Sequence, residues 1–249
     1  MHHHEKASTA MTFVEVLASM RRILSAEKYS QIPQLTSSQP MNVREPFYVV
    51  PPDCHGTKRA VLIGINYTGQ TGELTGCHYD CLNMKDYLVN MCGFDKKNIT
   101  VLMDDGKYGM PTRDNILQAY QNLVAASQSG DAAFCHYSGH GGRVRDDGDD
   151  ETDGYDETLV PVDYSSAGQI RDDDLYTNLV GTMPSGVTLV SIMDCCHSAT
   201  VLDLPYKYRA NTTGEHELNP FSTNGGNLII TVFIIVSVIV VILVAVFQV

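Results

Sequence analysis

The sequence has few basic residues for its length, and it lacks the cysteine patterns of a disulfide or zinc scaffold. It contains 17 Lys and Arg against 29 Asp and Glu in 249 residues, a formal net charge of −12. Nucleic acids are bound mainly through cations, so this balance argues against a nucleic-acid partner. The seven cysteines are odd in number, irregularly spaced and without a zinc-type CxxC pair, which favours a reducing, cytosolic setting.

An apolar signal peptide is also missing, since residues 1–10 are polar. A long apolar run lies instead at 228–247, where only Thr231 and Ser237 are polar. At 1.5 Å per residue this run would span about 30 Å, the hydrocarbon thickness of a bilayer. It predicts a single transmembrane helix that anchors the chain by its tail, behind a polar tether over 209–227. A glycosylphosphatidylinositol signal is a weaker alternative, because no polar spacer precedes the run.

Two short apolar runs end in chemically reactive residues. Residues 187–193 read as a buried strand and are followed by Asp194, Cys195, Cys196 and His197. Residues 132–138 form a similar run and are followed by Gly139 and His140. A cysteine beside an imidazole that removes its proton is a nucleophile for acyl transfer. Because side chains alternate along a strand, Asp194 and Cys196 would share one face and Cys195 the other.

Strand and helix patterns alternate through the middle of the chain. We expect strands at 60–65 and 99–103 and helices at 77–91 and 112–127, before the strand that leads to His140. The first helix would bury Leu82, Leu88 and Met91. The second would bury Ile116, Ala119, Tyr120 and Leu123. This alternation predicts an α/β fold with a mostly parallel sheet covered by helices.

The N-terminal part of the chain contains one clear helix signal. Thr12 followed by Glu15 is a capping box, and apolar residues then recur at helical spacing. These apolar residues are Phe13, Val16, Leu17, Met20 and Leu24. A short strand is expected at 47–50, where Pro51 and Pro52 would end it.

Together these motifs resemble the metacaspases, a family of caspase-like cysteine peptidases. The resemblance runs through residues 59–208 and is carried by the segment from Tyr137 to Gly141 and by Asp194 to Ser198, with the run from Lys58 to Tyr67. Residues 29–38 resemble the end of the family's small subunit and here precede the large subunit, as in type III members. The predicted division is therefore a small-subunit-like segment at 1–57 and a catalytic region at 58–208.

The resemblance implies a caspase-hemoglobinase-like sheet and a set of site residues. It implies Cys196 as nucleophile and His140 as general base. We expect backbone N–H groups near Gly141 and Cys196 to hold the oxyanion. It also implies an acidic S1 pocket that accepts Arg or Lys, and an activating Ca²⁺. The S1 residues would be Cys77, Asp80, Ser138 and Asp194; the calcium ligands would be Asp156, Asp172, Asp173 and Asp203.

The acidic residues have other interpretations. Seven acids fall within 146–156, but the sequence argues against an EF-hand because Val160 stands where the loop's bidentate glutamate belongs. Asp172 to Asp174 are equally suited to the N-terminus of a helix, and only the resemblance favours calcium.

The sequence thus predicts a monomeric, calcium-dependent, membrane-anchored endopeptidase that cleaves proteins or peptides after Arg or Lys, without an organic cofactor. The alternative is a catalytically impaired relative that acts as a membrane scaffold or regulator.

Overall fold

The computed structural model describes residues 11–26, 28, 33–145, 155–195, 201–202, 204–209, 219–220 and 229–233. The helices in these ranges are α1 (Phe13–Ala26), α2 (Cys77–Asn90), α3 (Arg113–Ala126), α4 (Tyr164–Ala167) and α5 (Asp172–Leu175), which a π-helical turn, Tyr176–Val180, continues. The strands are β1 (Gln34–Ser37), β2 (Lys58–Gly64), β3 (Ile99–Met103), β4 (Ala132–Ser138), β5 (Gly141–Arg145), β6 (Tyr155–Leu159), β7 (Ile170–Arg171), β8 (Thr188–Asp194), β9 (Tyr206–Arg209), β10 (Asn219–Pro220) and β11 (Ile229–Phe233).

Eight strands form one sheet in the order β10-β9-β1-β11-β8-β4-β2-β3. The five strands from β11 to β3 are mutually parallel, whereas β1, β9 and β10 pair antiparallel. A smaller antiparallel sheet contains β5, β6 and β7. Helices α2 and α3 lie in the crossovers that connect parallel strands, which is the usual arrangement of such connections. The predicted α/β class with a mostly parallel sheet is confirmed.

Helices cover both faces of this sheet, and side-chain alternation divides the core in two. On one face α1 and α2 pack against Leu62, Phe134 and Ile192. On the other face α3 packs against Ile63 and Met193. The strands between them are buried on both sides, which explains why their sequences are continuous apolar runs.

The capping box at the start of α1 forms as predicted. The Thr12 backbone N–H donates to Glu15 Oε2 at 2.8 Å, and the Glu15 N–H donates to Thr12 Oγ1 at 3.3 Å. The five predicted apolar positions of this helix are all buried. Because α1 packs in the same core as β8, this helix of the predicted N-terminal segment shares one core with the predicted catalytic region.

Two sequence-based expectations are wrong in detail. Residues 47–50 are not a strand, although Phe47 and Val49 are buried. On α2, Leu88 is buried as predicted, but Leu82 is 36% exposed and Met91 is 62% exposed. The helix turns a different face to the sheet, because Cys77 and Asp80 in its first turn are buried there.

The C-terminal apolar run also differs from the prediction where the structure describes it. Residues 229–233 form a strand rather than part of a helix; β11 lies between β8 and β1, and the rest of 228–247 falls outside the described residues. Within the described ranges, no helix is long and apolar enough to cross a membrane. The predicted tether is also partly structured, since Asn219 and Pro220 pair with β9.

Deleting β11 should therefore destabilise the domain. A chain that ends at Asn227 loses the strand that joins β8 to β1, together with its backbone hydrogen bonds on both sides. At about 1 kcal/mol for each net hydrogen bond, several lost bonds should lower the melting temperature by about 10 °C or more. Thermal unfolding followed by circular dichroism measures this change.

The matched control is a chain that ends at Phe233, which keeps β11 and removes the rest of the apolar run. We expect this chain to melt close to the full-length protein. If both truncations melt at the same temperature as the full-length chain, β11 contributes nothing to the fold.

A buried histidine in β4 predicts how stability depends on pH. His136 is fully buried, and neither ring nitrogen has a hydrogen-bond partner among the described residues. Burial lowers its pKa to about 3, because a charged imidazole would be desolvated. The folded state therefore disfavours protonation: this contribution to stability is complete above the unfolded pKa of about 6.5 and is lost as the pH falls towards 3.

The expected loss from His136 is about 2 kcal/mol between pH 7 and pH 5, at about 1.4 kcal/mol per pH unit. Urea unfolding at both pH values should show a smaller difference for His136→Leu than for the wild type. His55→Leu removes an exposed imidazole and should keep the wild-type dependence. An unchanged pH dependence in His136→Leu would show that this imidazole does not titrate on unfolding.

Candidate active site

The candidate site lies where three parallel strands, β2, β4 and β8, end at the same edge of the sheet. The Gly139 N–H, just past β4, donates to the carbonyl of Asp194 at 3.3 Å, so the ends of β4 and β8 are joined. His140 follows Gly139, and Cys195 follows Asp194. In open α/β sheets ligands bind at this carboxyl edge.

His140 has a defined ring orientation at this edge. Its Nε2 lies 2.6 Å from the carbonyl oxygen of Gly72, and its ring packs on Tyr67 with centroids 4.7 Å apart. A carbonyl can only accept a hydrogen bond, so Nε2 carries the proton. In the neutral imidazole Nδ1 is then the basic nitrogen.

The two adjacent cysteines differ in what the structure describes. Cys195 is 2% exposed and belongs to the core on the α3 side, with Leu189 and Met193. Val190 and Ile192 belong to the opposite core, as the predicted alternation requires. Cys196 lies outside the described residues, so its thiol is not placed.

The four predicted S1 residues are brought together. Ser138 and Asp194 are register partners on β4 and β8, so their side chains lie on the same face. The Ser138 hydroxyl donates to Asp80 Oδ2 at 3.1 Å, and the Cys77 thiol is also hydrogen-bonded to Ser138. All four side chains are buried.

A glycine in β2 allows α2 to approach this cluster. Gly64 pairs with Ser138 across the sheet. A Cβ on Gly64 would lie 2.6 Å from the Cys77 carbonyl oxygen and 2.9 Å from Cys81 Cβ. Any larger residue would push the first turn of α2, with Cys77 and Asp80, away from the strand ends.

Burial changes the acidity of two groups in the cluster. Desolvation raises the pKa of Asp80 to about 6, although the Ser138 hydroxyl partly offsets this. Desolvation likewise raises the pKa of Cys77 to about 11, helped by the charges of Asp80 and Asp194. Cys77 is therefore a neutral thiol at neutral pH and not a competing nucleophile.

The predicted calcium ligands are only partly described. Asp156 in β6 and Asp172 in α5 are 2% and 4% exposed, whereas Asp173 is exposed. Asp203 lies outside the described residues. Asp156 Oδ2 pairs with Arg171 Nη1 at 3.0 Å, and Asp172 Oδ2 accepts from the Glu157 N–H at 3.1 Å.

The acidic trio also begins a helix, the alternative that the sequence left open. Asp172, Asp173 and Asp174 occupy the first turn of α5, and Asp174 pairs with Arg113 Nη2 at 2.6 Å. Among the residues that the structure describes, no three His, Cys, Asp or Glu side chains are grouped as a metal site. Two buried carboxylates on neighbouring elements are nevertheless oxygen donors that suit a hard divalent cation.

The residues that contact His140 are not among the site residues predicted from the sequence. Tyr67 and Gly72 follow β2, whose carboxyl end lies beside that of β4. The order of the strands could have predicted this contact, because the loops that follow neighbouring parallel strands meet at one edge of the sheet. Gly141, the predicted oxyanion residue, begins β5 and pairs with Leu159.

Comparison with known proteins agrees with this arrangement. The family model described as "Metacaspase, peptidase C14 domain" matches residues 58–205. "Metacaspase III c" of Phaeodactylum tricornutum is 54% identical over 210 residues, covering 84% of this chain and 62% of that protein. "Metacaspase-1A" of Neurospora crassa is 48% identical over 158 residues, covering 63% of this chain and 35% of its own length.

The match to solved structures is looser. A protein from Geobacter sulfurreducens matches with 34% identity and a TM-score of 0.47, covering 59% of this chain and 53% of its own. The chain spans less than two thirds of the length of each of the two metacaspases named above. The family model covers the segment that carries His140, the buried cluster of Asp80, Ser138 and Asp194, and Cys196, and the chain belongs to the metacaspase family of cysteine peptidases.

Proposed function

We propose that the chain is a cysteine endopeptidase that cleaves after Arg or Lys, with Cys196 as nucleophile and His140 as general base. The observation that carries this proposal is the buried cluster at the carboxyl edge, where Asp80, Ser138 and Asp194 meet beside the loop of His140. Two carboxylates at the end of β4 and β8 suit a cationic side chain at P1.

The catalytic steps follow from the orientation of His140. Nδ1 takes the proton of the Cys196 thiol, the thiolate attacks the scissile carbonyl, and the imidazolium returns the proton to the leaving amine. Water then hydrolyses the thioester with the same nitrogen as base. The Gly72 carbonyl stabilises the imidazolium through Nε2–H, at the 2.6 Å contact.

The test is hydrolysis of a fluorogenic peptide with arginine at P1 by the full-length chain, combined with covalent labelling by an arginyl chloromethyl ketone. The thiolate displaces chloride, so mass spectrometry of the tryptic peptide locates the modified cysteine. We expect hydrolysis and one label, at Cys196. A chain that neither cleaves nor takes the label would support the alternative of a non-catalytic scaffold or regulator.

Calcium activation is part of the proposal, with Asp156, Asp172, Asp173 and Asp203 as ligands. Asp156 in β6 and Asp172 in α5 are buried carboxylates on elements that pack together, and carboxylate oxygens are the ligands that a hard divalent cation prefers. Asp172→Ala should therefore raise the calcium concentration needed for half-maximal hydrolysis about tenfold or more. It should also weaken calcium binding in isothermal titration calorimetry, which does not depend on activity.

The control for calcium is Asp114→Ala, which removes an exposed acid from the first turn of α3. This variant should bind calcium as the wild type does. Equal activity of the wild type in chelator and in millimolar calcium would exclude activation by this ion.

Membrane attachment through 228–247 is a separate proposal, and it competes with sheet pairing. Residues 229–233 cannot be in β11 and in a transmembrane helix at once, and the 14 residues from 234 to 247 would span only about 21 Å as a helix. Attachment is tested by washing cell membranes with carbonate. Protein that stays in the pellet is anchored, and protein that is released is not.

A further inference from the structure

The backbone of His140 is held at both its polar groups by buried tyrosines. The His140 N–H donates to Tyr67 Oη at 3.0 Å, and the Tyr137 hydroxyl donates to the His140 carbonyl at 2.8 Å. Both tyrosines are 0% exposed. The Tyr67 hydroxyl itself donates to the carbonyl of Val160 at 2.6 Å, so its direction is fixed. His140 follows a glycine and lies outside a regular strand, so these hydrogen bonds fix its backbone.

Gly139 leaves room for the two phenol groups. A Cβ at this position would lie 2.9 Å from Tyr137 Oη and 3.0 Å from Tyr67 Oη. A glycine is therefore required before His140 for both hydroxyl groups to reach the backbone. This contact gives a steric reason for the glycine that is independent of chain flexibility.

Tyr67 also contacts the imidazole directly. The two rings have centroids 4.7 Å apart with planes inclined at 37°. The Gly72 carbonyl, at 2.6 Å from Nε2, belongs to the same loop as Tyr67. One loop after β2 therefore determines the backbone position, the ring plane and the tautomer of His140.

The backbone of Tyr67 is itself unusual. Its φ of 53° lies in the left-handed region, which bulky side chains rarely adopt. The buried carboxylate of Asp104 accepts hydrogen bonds from the N–H groups on either side, Asn66 at 2.9 Å and Thr68 at 3.2 Å. Asp104 Oδ1 also lies 2.6 Å from His78 Nε2. These contacts hold the strained residue in place.

We propose that Tyr67 is a positioning residue for His140, and that Asp104, oriented by His78, fixes the backbone of Tyr67. The inference rests on the proposed function only in giving His140 the role of base. The Tyr67 hydroxyl holds the His140 backbone N–H, and this keeps the ring within reach of the Gly72 carbonyl that fixes its tautomer. Without that hydroxyl, the His140 N–H and the Val160 carbonyl each lose a partner, while the ring contact remains.

The decisive variant is Tyr67→Phe, because it removes a single oxygen. We expect kcat for the arginyl peptide to fall about 10- to 100-fold with KM changed less than twofold. The proposed S1 residues lie on the α2 side of the sheet, whereas Tyr67 lies in the core on the α3 side. The ¹⁵N shifts of the His140 ring, assigned by difference from His140→Ala, should change from Nε2–H alone to a mixture of tautomers.

The matched control is Tyr120→Phe. Tyr120 is fully buried in the same core, and its hydroxyl has no hydrogen-bond partner among the described residues. This variant should keep kcat and the His140 shifts of the wild type. Asp104→Asn tests the contacts that hold the Tyr67 backbone. Its control is Asp105→Asn, because among the described residues Asp105 accepts from the turn N–H groups of Lys107 and Tyr108 and from no group of the Tyr67 loop.

The outcomes separate this inference from the proposed function. If the wild type cleaves no peptide but the His140 shifts change in Tyr67→Phe, the positioning role stands and the peptidase proposal fails. If Tyr67→Phe matches Tyr120→Phe in kcat and in the His140 shifts, Tyr67 has no positioning role. If Tyr67→Phe does not fold, Asp104→Asn against Asp105→Asn gives the same decision.

Discussion

Cys196→Ala is expected to abolish peptide hydrolysis, by at least about a thousandfold, whereas Cys195→Ala should keep most of it. Loss of a nucleophile removes the covalent route entirely, and effects of this size or larger are usual for such groups. His140→Ala should be as severe, because the thiol would lose its base. The measurement is kcat/KM for the arginyl peptide, with the melting temperature of each variant as a check on folding.

The adjacent cysteine is a good control because its surroundings are described. Cys195 packs beside Met193 in the core on the α3 side, away from the face of Asp194. Removing its sulfur should lower stability by about 1 kcal/mol or more without removing a reacting group. An inactive Cys195→Ala together with an active Cys196→Ala would reverse the roles of the two thiols and contradict the alternation argument.

The main strands and helices could be predicted because their signals are local. The strand at 132–138 and the buried positions Ile116 and Tyr120 of α3 follow directly from apolar spacing. The capping box of α1 needs only Thr12 and Glu15. In each case the pattern of a few neighbouring residues determines the element, and tertiary packing agrees with it.

Prediction and structure differ where distant parts of the chain decide the structure. A run of Ile, Val and Phe is compatible with a buried parallel strand as well as with a membrane helix. For residues 229–233, only the pairing with β8 and β1 in the sheet distinguishes the two structures. On α2 the polar Asp80 is buried, where it accepts a hydrogen bond from Ser138, and Leu82 is partly exposed. A hydrogen bond from a distant strand here overrides the amphipathic pattern.

The environment of His140 could not be predicted from its own segment. Tyr67 is distant in sequence, and its left-handed backbone depends on the carboxylate of Asp104. No short-range pattern indicates such an arrangement. By contrast, the S1 residues that the family resemblance implied are brought together by the register of β4 and β8 and by the close approach at Gly64.

A strong preference for arginine at P1 is the second expected result with a large effect. Asp80 and Asp194 are both buried at the strand ends, so a guanidinium would meet carboxylates in a partly desolvated pocket, whereas a P1 aspartate would meet like charge. The penalty for the wrong sign should be several kcal/mol, or about a thousandfold or more in kcat/KM. Peptides that differ only at P1, with Arg, Lys, Asp or the neutral isostere citrulline, measure it directly.

The pH dependence of this preference identifies the carboxylate that is responsible. Burial raises the pKa of Asp80 to about 6, so its carboxylate is charged above that pH and neutral below it. The ratio of kcat/KM for the Arg peptide to that for the citrulline peptide should therefore fall as the pH drops through about 6. Groups that act on the scissile bond affect both peptides alike, so their contribution cancels in the ratio.

Two variants complete this test. Asp80→Asn should lower the Arg-to-citrulline ratio and remove its step near pH 6, because the titrating carboxylate is gone while the amide can still accept from Ser138. Asp194→Asn should lower the ratio and keep the step. Preference for aspartate over arginine, or a ratio that neither variant changes, would show that these carboxylates do not form the P1 pocket.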